Sequence, residues 1–321
     1  MALIRGPTSA GTNWTPVGSG RTSRRESIPP GRSPAASVVP ELPEVETMRR
    51  DLAPLLRGRR IRHTRVHHDD LILGGLSARS FSRAVLGRTF GDADRRAKYL
   101  LFPLHAADGI DGPVERLMRV QVRMTGRFAL APERPASPDF RHPGLDLELD
   151  DGRTLFYDDV GRLGGFDLLT PEAWKTREAA LGPEPLGRTF TAARLACIVA
   201  PLRAPIKNVL LDQRRVAGVG NIYASEALYR AGIDPRRPAG SLDAVEVRQL
   251  HRAVRAVLRE ALESAGTTLR DYRAVNGRSG SFQTRLDVYQ REGVACPACA
   301  RSIRRIVQAG RSSFFCAGCQ S

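Results

Sequence analysis

A chain of 321 residues, 41% of them hydrophobic, is long enough for two domains with separate buried cores. Its 50 lysines and arginines against 34 acids leave a formal charge of +16 at pH 7, which points to a polyanion, nucleic acid first, although an arginine-rich composition alone does not require one. No apolar run reaches 18 residues and no apolar stretch follows Met1, so neither a membrane span nor a secretory signal is expected, and the chain reads as a cytoplasmic protein.

In chain order, residues 1–39 mix Gly, Ser, Thr and Pro with five arginines and one acid, Glu26. They lack any hydrophobic period that could build a core and read as a disordered extension. A true tail, a targeting peptide and translation from too early a start all fit that composition. From Glu41 onward, Leu42, Val45, Met48, Leu52 and Leu55 recur at helical spacing, predicting an amphipathic helix over 41–56 whose N-terminus presents Glu41 and Glu44. Strand-like stretches follow at 61–66, 99–104, 117–124, 145–149 and 154–157, with Asp-Gly and Gly-Arg pairs suited to turns. Residues 40–169 therefore read as an antiparallel β-sandwich preceded by a helix. Beyond Thr170 the pattern turns helical, at 191–200, 207–213, 221–231 and 242–264. The expected class is α+β and multidomain: the sandwich, a helical domain over 170–288, and short strands around four cysteines over 289–321.

Those cysteines carry the clearest chemistry. Cys296-x-x-Cys299 and Cys316-x-x-Cys319 let two tight turns bring four thiolates around one tetrahedral zinc, a closed and therefore structural site. Cys197 stands apart. Arg301, Arg304, Arg305 and Arg311 within the cysteine-bearing segment could lie along a phosphate backbone. Gly218-Val219-Gly220 precedes a helix beginning near Asn221, and such a turn frees backbone N–H groups for a phosphate, although two glycines before a helix are more often a plain loop.

Pro40-Glu41-Leu42-Pro43-Glu44-Val45-Glu46-Thr47, followed by Met48, Arg49 and Arg50, closely resembles the N-terminal signature of the formamidopyrimidine-DNA glycosylases. The string from Gly218 to Glu226 resembles that family's helix–two-turns–helix element, and the cysteine spacing resembles its zinc-finger hairpin. With the order preserved from Pro40 to Gln320, the resemblance implies a bifunctional glycosylase and abasic-site lyase that removes oxidised purines from damaged double-stranded DNA as a monomer. It makes Pro40 the nucleophile through a free secondary amine, Glu41 the general acid and Glu44 its support one turn on. Lys98, in Arg95-Arg96-Ala97-Lys98, matches the lysine assisting the first elimination; Arg311 matches the hairpin arginine assisting the second. Lys207 and Asn221 would grip phosphates flanking the lesion, His142 would contact DNA, and Met124 would wedge the duplex. Arg270 lies in a segment, 265–280, that resembles the loop closing over the extruded base.

Two departures stand out. Asp159-Val160-Gly161-Arg162-Leu163-Gly164 replaces the family's Asp-Pro-Arg-Arg-Phe-Gly loop, so Leu163 can wedge and Arg162 can still meet DNA, but Gly161 cannot read the orphaned base. Gln121 stands where the family has histidine. The signature also begins 39 residues into the chain, where an amide nitrogen cannot be a nucleophile; Val39, encoded by a codon such as GTG, is a possible bacterial start that would leave Pro40 free after methionine removal. The alternatives are an oxidised-pyrimidine glycosylase of the endonuclease VIII type and a DNA-lesion binder whose Pro40 is blocked. Leu181-Gly182-Pro183-Glu184-Pro185-Leu186 looks more like the purine branch.

Overall fold

The structure is a computed structural model and describes residues 39–106, 109–267 and 280–321. The extension expected over 1–39, Val39 aside, lies outside the described residues, as does Arg270 with most of the expected lid.

Helix α1, Leu42–Leu56, forms where Leu42, Val45, Met48, Leu52 and Leu56 share one buried face. Pro43 sits in its first turn, where a missing N–H breaks no hydrogen bond. The last apolar contact differs from expectation: Leu56, four residues after Leu52, is buried, while Leu55 turns outward. The helix runs along the seam between two cores. Leu42 packs with the helical part of the chain, whereas Val45, Met48, Leu52 and Leu56 pack among the strands.

Nine antiparallel strands follow: β1 Ile61–Val66, β2 Thr89–Phe90, β3 Asp94–Arg96, β4 Tyr99–His105, β5 Arg116–Gln121, β6 Gly126–Ala131, β7 Pro143–Leu149, β8 Thr154–Asp159 and β9 Gly165–Leu169. One sheet has the order β1-β7-β8-β6 and the other β2-β4-β5-β9, with β3 also on β4. The two faces close over Phe81, Phe90, Phe102, Tyr157 and Phe166, the expected sandwich. Helix α2, Ala78–Val85, was not legible in the sequence, for only Phe81 and Val85 mark its buried face. Strands β2, β3, β6 and β9 were also missed; the first two are too short to show a period.

The stretch expected as one strand over 117–124 ends at Gln121, because the chain then leaves β5's sheet and enters β6 in the other. Residues 160–164 make a second such crossing, from β8 to β9. The crossings lie side by side: Gly126 pairs with Asp159 in one sheet and Gln121 with Gly165 in the other. The buried Asp159 carboxylate ties them together, accepting from Thr125 Oγ1, from Gly164 N at 2.8 Å and from Tyr157 OH at 3.1 Å.

The helical part begins at α3, Pro171–Ala179, with Thr170 as its N-cap, and continues through α4 Ala192–Val199, α5 Ile206–Leu211, α6 Asn221–Arg230 and α7 Ala244–Glu263. Its core joins Leu195, Leu210, Ile222, Leu228, Val254 and Leu258. Glu226 of α6 is fully buried, and its carboxylate accepts from the backbone N–H groups of Asp287, Val288 and Tyr289 at 2.8–3.0 Å. That clamp fixes the chain as it enters the terminal hairpin, β10 Arg304–Gln308 and β11 Arg311–Phe315.

Candidate active site and nucleic-acid interface

Pro40 is buried at the foot of α1, beside a small cleft it shares with Val45, Lys98, Gln121 and Arg123. Its nitrogen is in peptide linkage to Val39. The next residue, the N-cap of α1, also reaches beyond its own helix. Glu41 Oε2 accepts from Gly220 N at 2.6 Å and Oε1 from Ile222 N at 2.9 Å, so the carboxyl sits on the N-terminus of α6, where free N–H groups and the helix dipole favour negative charge. Burial nevertheless dominates: it pushes the Glu41 carboxyl up to about 7, against the opposing pull of Lys98.

Glu44 completes the arrangement. Its Oε2 accepts from Glu41 N at 2.9 Å, half of a capping box, and its Oε1 accepts from Tyr223 OH at 2.5 Å and Thr267 N at 2.7 Å. Burial raises this carboxyl as well. Lys98 follows Ala97, which has a left-handed backbone (φ 55°), at the turn from β3 to β4. Burial pushes its ammonium below the usual lysine range; Glu41 opposes that, while Arg311 and Arg123 add to it.

Gly220 is the residue that lets these groups meet. A Cβ there would stand 2.3 Å from Glu41 Cδ and 2.5 Å from Lys98 Nζ. Gly266, at φ +82°, does the same for Glu44, whose Oε1 would lie 2.9 Å from an added Cβ. The sequence hinted at the first through the Gly-x-Gly turn; neither Gly266 nor the partners Tyr223 and Thr267 could be assigned to Glu44 from spacing.

Lys207 is placed otherwise than expected. It is 1% exposed, and Nζ donates to Ser312 O at 2.9 Å and Ser313 Oγ at 2.7 Å, so its ammonium is spent inside the protein rather than offered to a phosphate. Burial, with Arg311 adding, lowers it to about 7. Asn221 Nδ2 donates to the same Ser312 carbonyl at 3.0 Å, leaving Oδ1 buried without a partner. Helices α5 and α6 thus both grip β11 next to Arg311, which is itself exposed at the start of that strand.

Met124 and Leu163, the residues expected to wedge the duplex, lie on the crossings. Met124 is half-buried and Leu163 is 52% exposed, with Val160 exposed as well. Gly161 N donates to Thr125 Oγ1 at 3.0 Å, holding the second crossing against the first. Arg162 has a left-handed backbone (φ 47°) and lies 3.6 Å from Asp70 in a solvent-exposed ion pair. His142 is exposed just before β7.

The sulfurs of Cys296, Cys299, Cys316 and Cys319 lie within 4.8 Å of one another. Cys296 and Cys319 are 3.8 Å apart, the sulfur spacing of a tetrahedron with zinc–sulfur bonds of about 2.3 Å. Tyr229 OH reaches Cys296 Sγ at 3.3 Å, a contact from α6 that orients a ligand. The donor set fits one structural zinc ion.

Three family models match. Residues 39–166 match the formamidopyrimidine-DNA glycosylase N-terminal domain, 181–273 the formamidopyrimidine-DNA glycosylase H2TH domain, and 295–321 the zinc finger found in FPG and IleRS. A formamidopyrimidine-DNA glycosylase of Chloroflexus aggregans is 43% identical over 282 residues, covering 88% of this chain and 98% of its own length. One from Caulobacter vibrioides is 42% identical over 299 residues, 88% and 100%. Among solved structures, MutM (Fpg) from Thermus thermophilus superposes with a TM-score of 0.75 at 42% identity, covering 88% and 98%. The Lactococcus lactis Fpg complex with abasic-site DNA superposes with a TM-score of 0.77 at 30% identity, covering 87% and 99%.

Proposed function

The chain belongs to the formamidopyrimidine-DNA glycosylase family, and on that premise we propose how its residues excise oxidised purines from damaged duplex DNA in base excision repair and then open the strand. The observation that carries the reading is the Glu41 carboxyl, buried next to Pro40, gripped by two α6 amides and raised to about 7. At neutral pH a sizeable fraction of it carries a proton that a nucleotide at Pro40 could receive.

A secondary amine at a chain terminus titrates near pH 8, so a useful fraction of a free Pro40 is neutral and nucleophilic. Its lone pair attacks C1′ of the extruded nucleotide and the glycosidic bond breaks, the proton shed by the amine going with the departing base. Glu41 protonates the sugar ring oxygen, the ring opens, and the Pro40 nitrogen is left in an iminium. That cation acidifies the C2′ proton. Lys98, held below its usual range, accepts it, and the 3′ phosphate departs; a second elimination, assisted by Arg311, releases the 5′ phosphate. Glu44 positions Glu41 through its bond to the Glu41 amide. Cys296, Cys299, Cys316 and Cys319 hold one structural zinc that fixes the hairpin bearing Arg311.

Met124 and Leu163 fill the space vacated by the flipped nucleotide. Gly161 has no side chain, so the opposite base goes unread at that position. His142, Arg162 and Asn221 face DNA in this reading, and Lys207 acts through β11. The proposed partition is catalytic over 40–169, DNA-binding over 170–288 and zinc finger over 289–321. All the site residues come from one chain, so a monomer in the bacterial nucleoid suffices.

The reading needs Pro40 as the mature N-terminus, and the family match beginning at residue 39 supports that boundary. Borohydride trapping of natively expressed protein on a duplex with one 8-oxoguanine opposite cytosine tests it. A covalent adduct lost in Pro40→Gly, with an intact mass that begins at Pro40, is expected. Tight binding without an adduct would overturn the lyase assignment in favour of a lesion binder.

A further inference from the structure

We propose that Arg123 anchors a backbone phosphate of the nucleotide presented to Pro40, a role that rests on the glycosylase reading above. Four observations converge. Arg123 is exposed at the first sheet crossing and lines the cleft with Pro40, Lys98 and Gln121. Gln121, Val122 and Arg123 all border the cleft, and of the three Val122 is buried at 1%, Gln121 half-buried and Arg123 exposed.

Second, Arg123 holds φ +55°, a left-handed conformation that glycine adopts freely and arginine does not. A strained backbone carrying a long charged side chain beside a nucleophile points to a function for that side chain. Third, the neighbouring arginines are already matched: Arg49 with Glu46, Arg95 with Glu46 and Glu184, Arg96 with Glu178 and Glu184, Arg119 with Asp167. Arg123 has no ion pair and no hydrogen bond among the described residues. Fourth, its charge adds to the lowering of Lys98, so the guanidinium lies within electrostatic range of that ammonium. A nucleotide attacked at C1′ brings a phosphate on either side of its sugar, and a guanidinium fork matches phosphate oxygens in pairs.

The surroundings leave room for such an anchor. Gln121 beside it is neutral, and the Lys207 ammonium, expected on a phosphate, is turned inward.

The test is equilibrium binding of the full chain to a duplex with one tetrahydrofuran abasic-site analogue, at salt from 50 to 200 mM, for wild type, Arg123→Gly and Arg123→Lys. Arg123→Gly should fold with an unchanged or higher Tm, because glycine relieves the φ. Its affinity should be lower, and its slope of log affinity on log salt shallower by about 0.9, so that the deficit shrinks about 3.5-fold across that range. Arg123→Lys should keep the wild-type slope. An unchanged slope in Arg123→Gly overturns the proposal, and a changed opposite-base preference at unchanged slope would make Arg123 a base reader instead. Wild type that binds the abasic duplex no better than undamaged duplex would sink the glycosylase reading itself, a result visible before any variant is compared.

Discussion

Glu41 is asked to keep a proton that its ordinary carboxyl would release. Its native value of about 7 lies above the 4.5 of an exposed glutamate, so between those two pH values the folded state binds a proton that the unfolded chain has lost. The sign follows. The stability tied to Glu41 is fully present below pH 4.5 and declines as pH rises through about 7, by on the order of 3 kcal/mol over the whole window. Glu41→Gln removes that titration. Thermal denaturation between pH 5 and 7.5 should therefore show wild type losing Tm more steeply than the variant; parallel curves would mean that Glu41 ionises where exposed glutamates do. The same proton opens the sugar ring, so the borohydride-trappable iminium should form more slowly above pH 7 in wild type and be lost in the variant at every pH.

At the level of elements, the N-terminus of α6 is an anion site already filled by a protein carboxyl. Gly220 makes that possible, since any β-carbon would occupy the space of Glu41 Cδ and Lys98 Nζ. Gly220→Ala must displace one of them, and a shift of about 1 Å at the reacting centre costs on the order of 100-fold in rate. Single-turnover formation of the trappable iminium should fall by about that factor while affinity for an abasic-site duplex stays within a few-fold; an unchanged rate would show that the α6 amides do not place Glu41. Elements of this kind were legible where a period repeats, as in α1, α6 and α7, or where spacing is chemical, as in the cysteines. They were not legible where the reason for a conformation lies far along the chain. Nothing near Asp159 announces that it will join Thr125 and Gly164, and Lys207 gives no local sign of the serines more than a hundred residues away that bury it. The strand expected to run through Met124 stops early because a sheet crossing is a tertiary event.

For the whole molecule, the hairpin is a strut between the zinc and the helices. Lys207 and Asn221 both end on the Ser312 carbonyl, and Tyr229 ends on Cys296. Stripping the zinc should free the hairpin, leave the Lys207 ammonium buried without acceptors and move Arg311 away from the cleft. Dialysis against a chelator should release one zinc per chain, lower Tm and abolish the second elimination, with readdition restoring all three. Retention of the second elimination after verified zinc loss would separate Arg311 from the metal.

Glu41 belongs by chain order to the strands, yet the groups that hold it come 179 and 181 residues later, from the far core. A chain whose two cores have not joined can therefore own the amine and its neighbouring acid and still lack the amides that place the carboxyl. The machinery that cuts DNA is therefore whole only while both cores are folded and joined along α1.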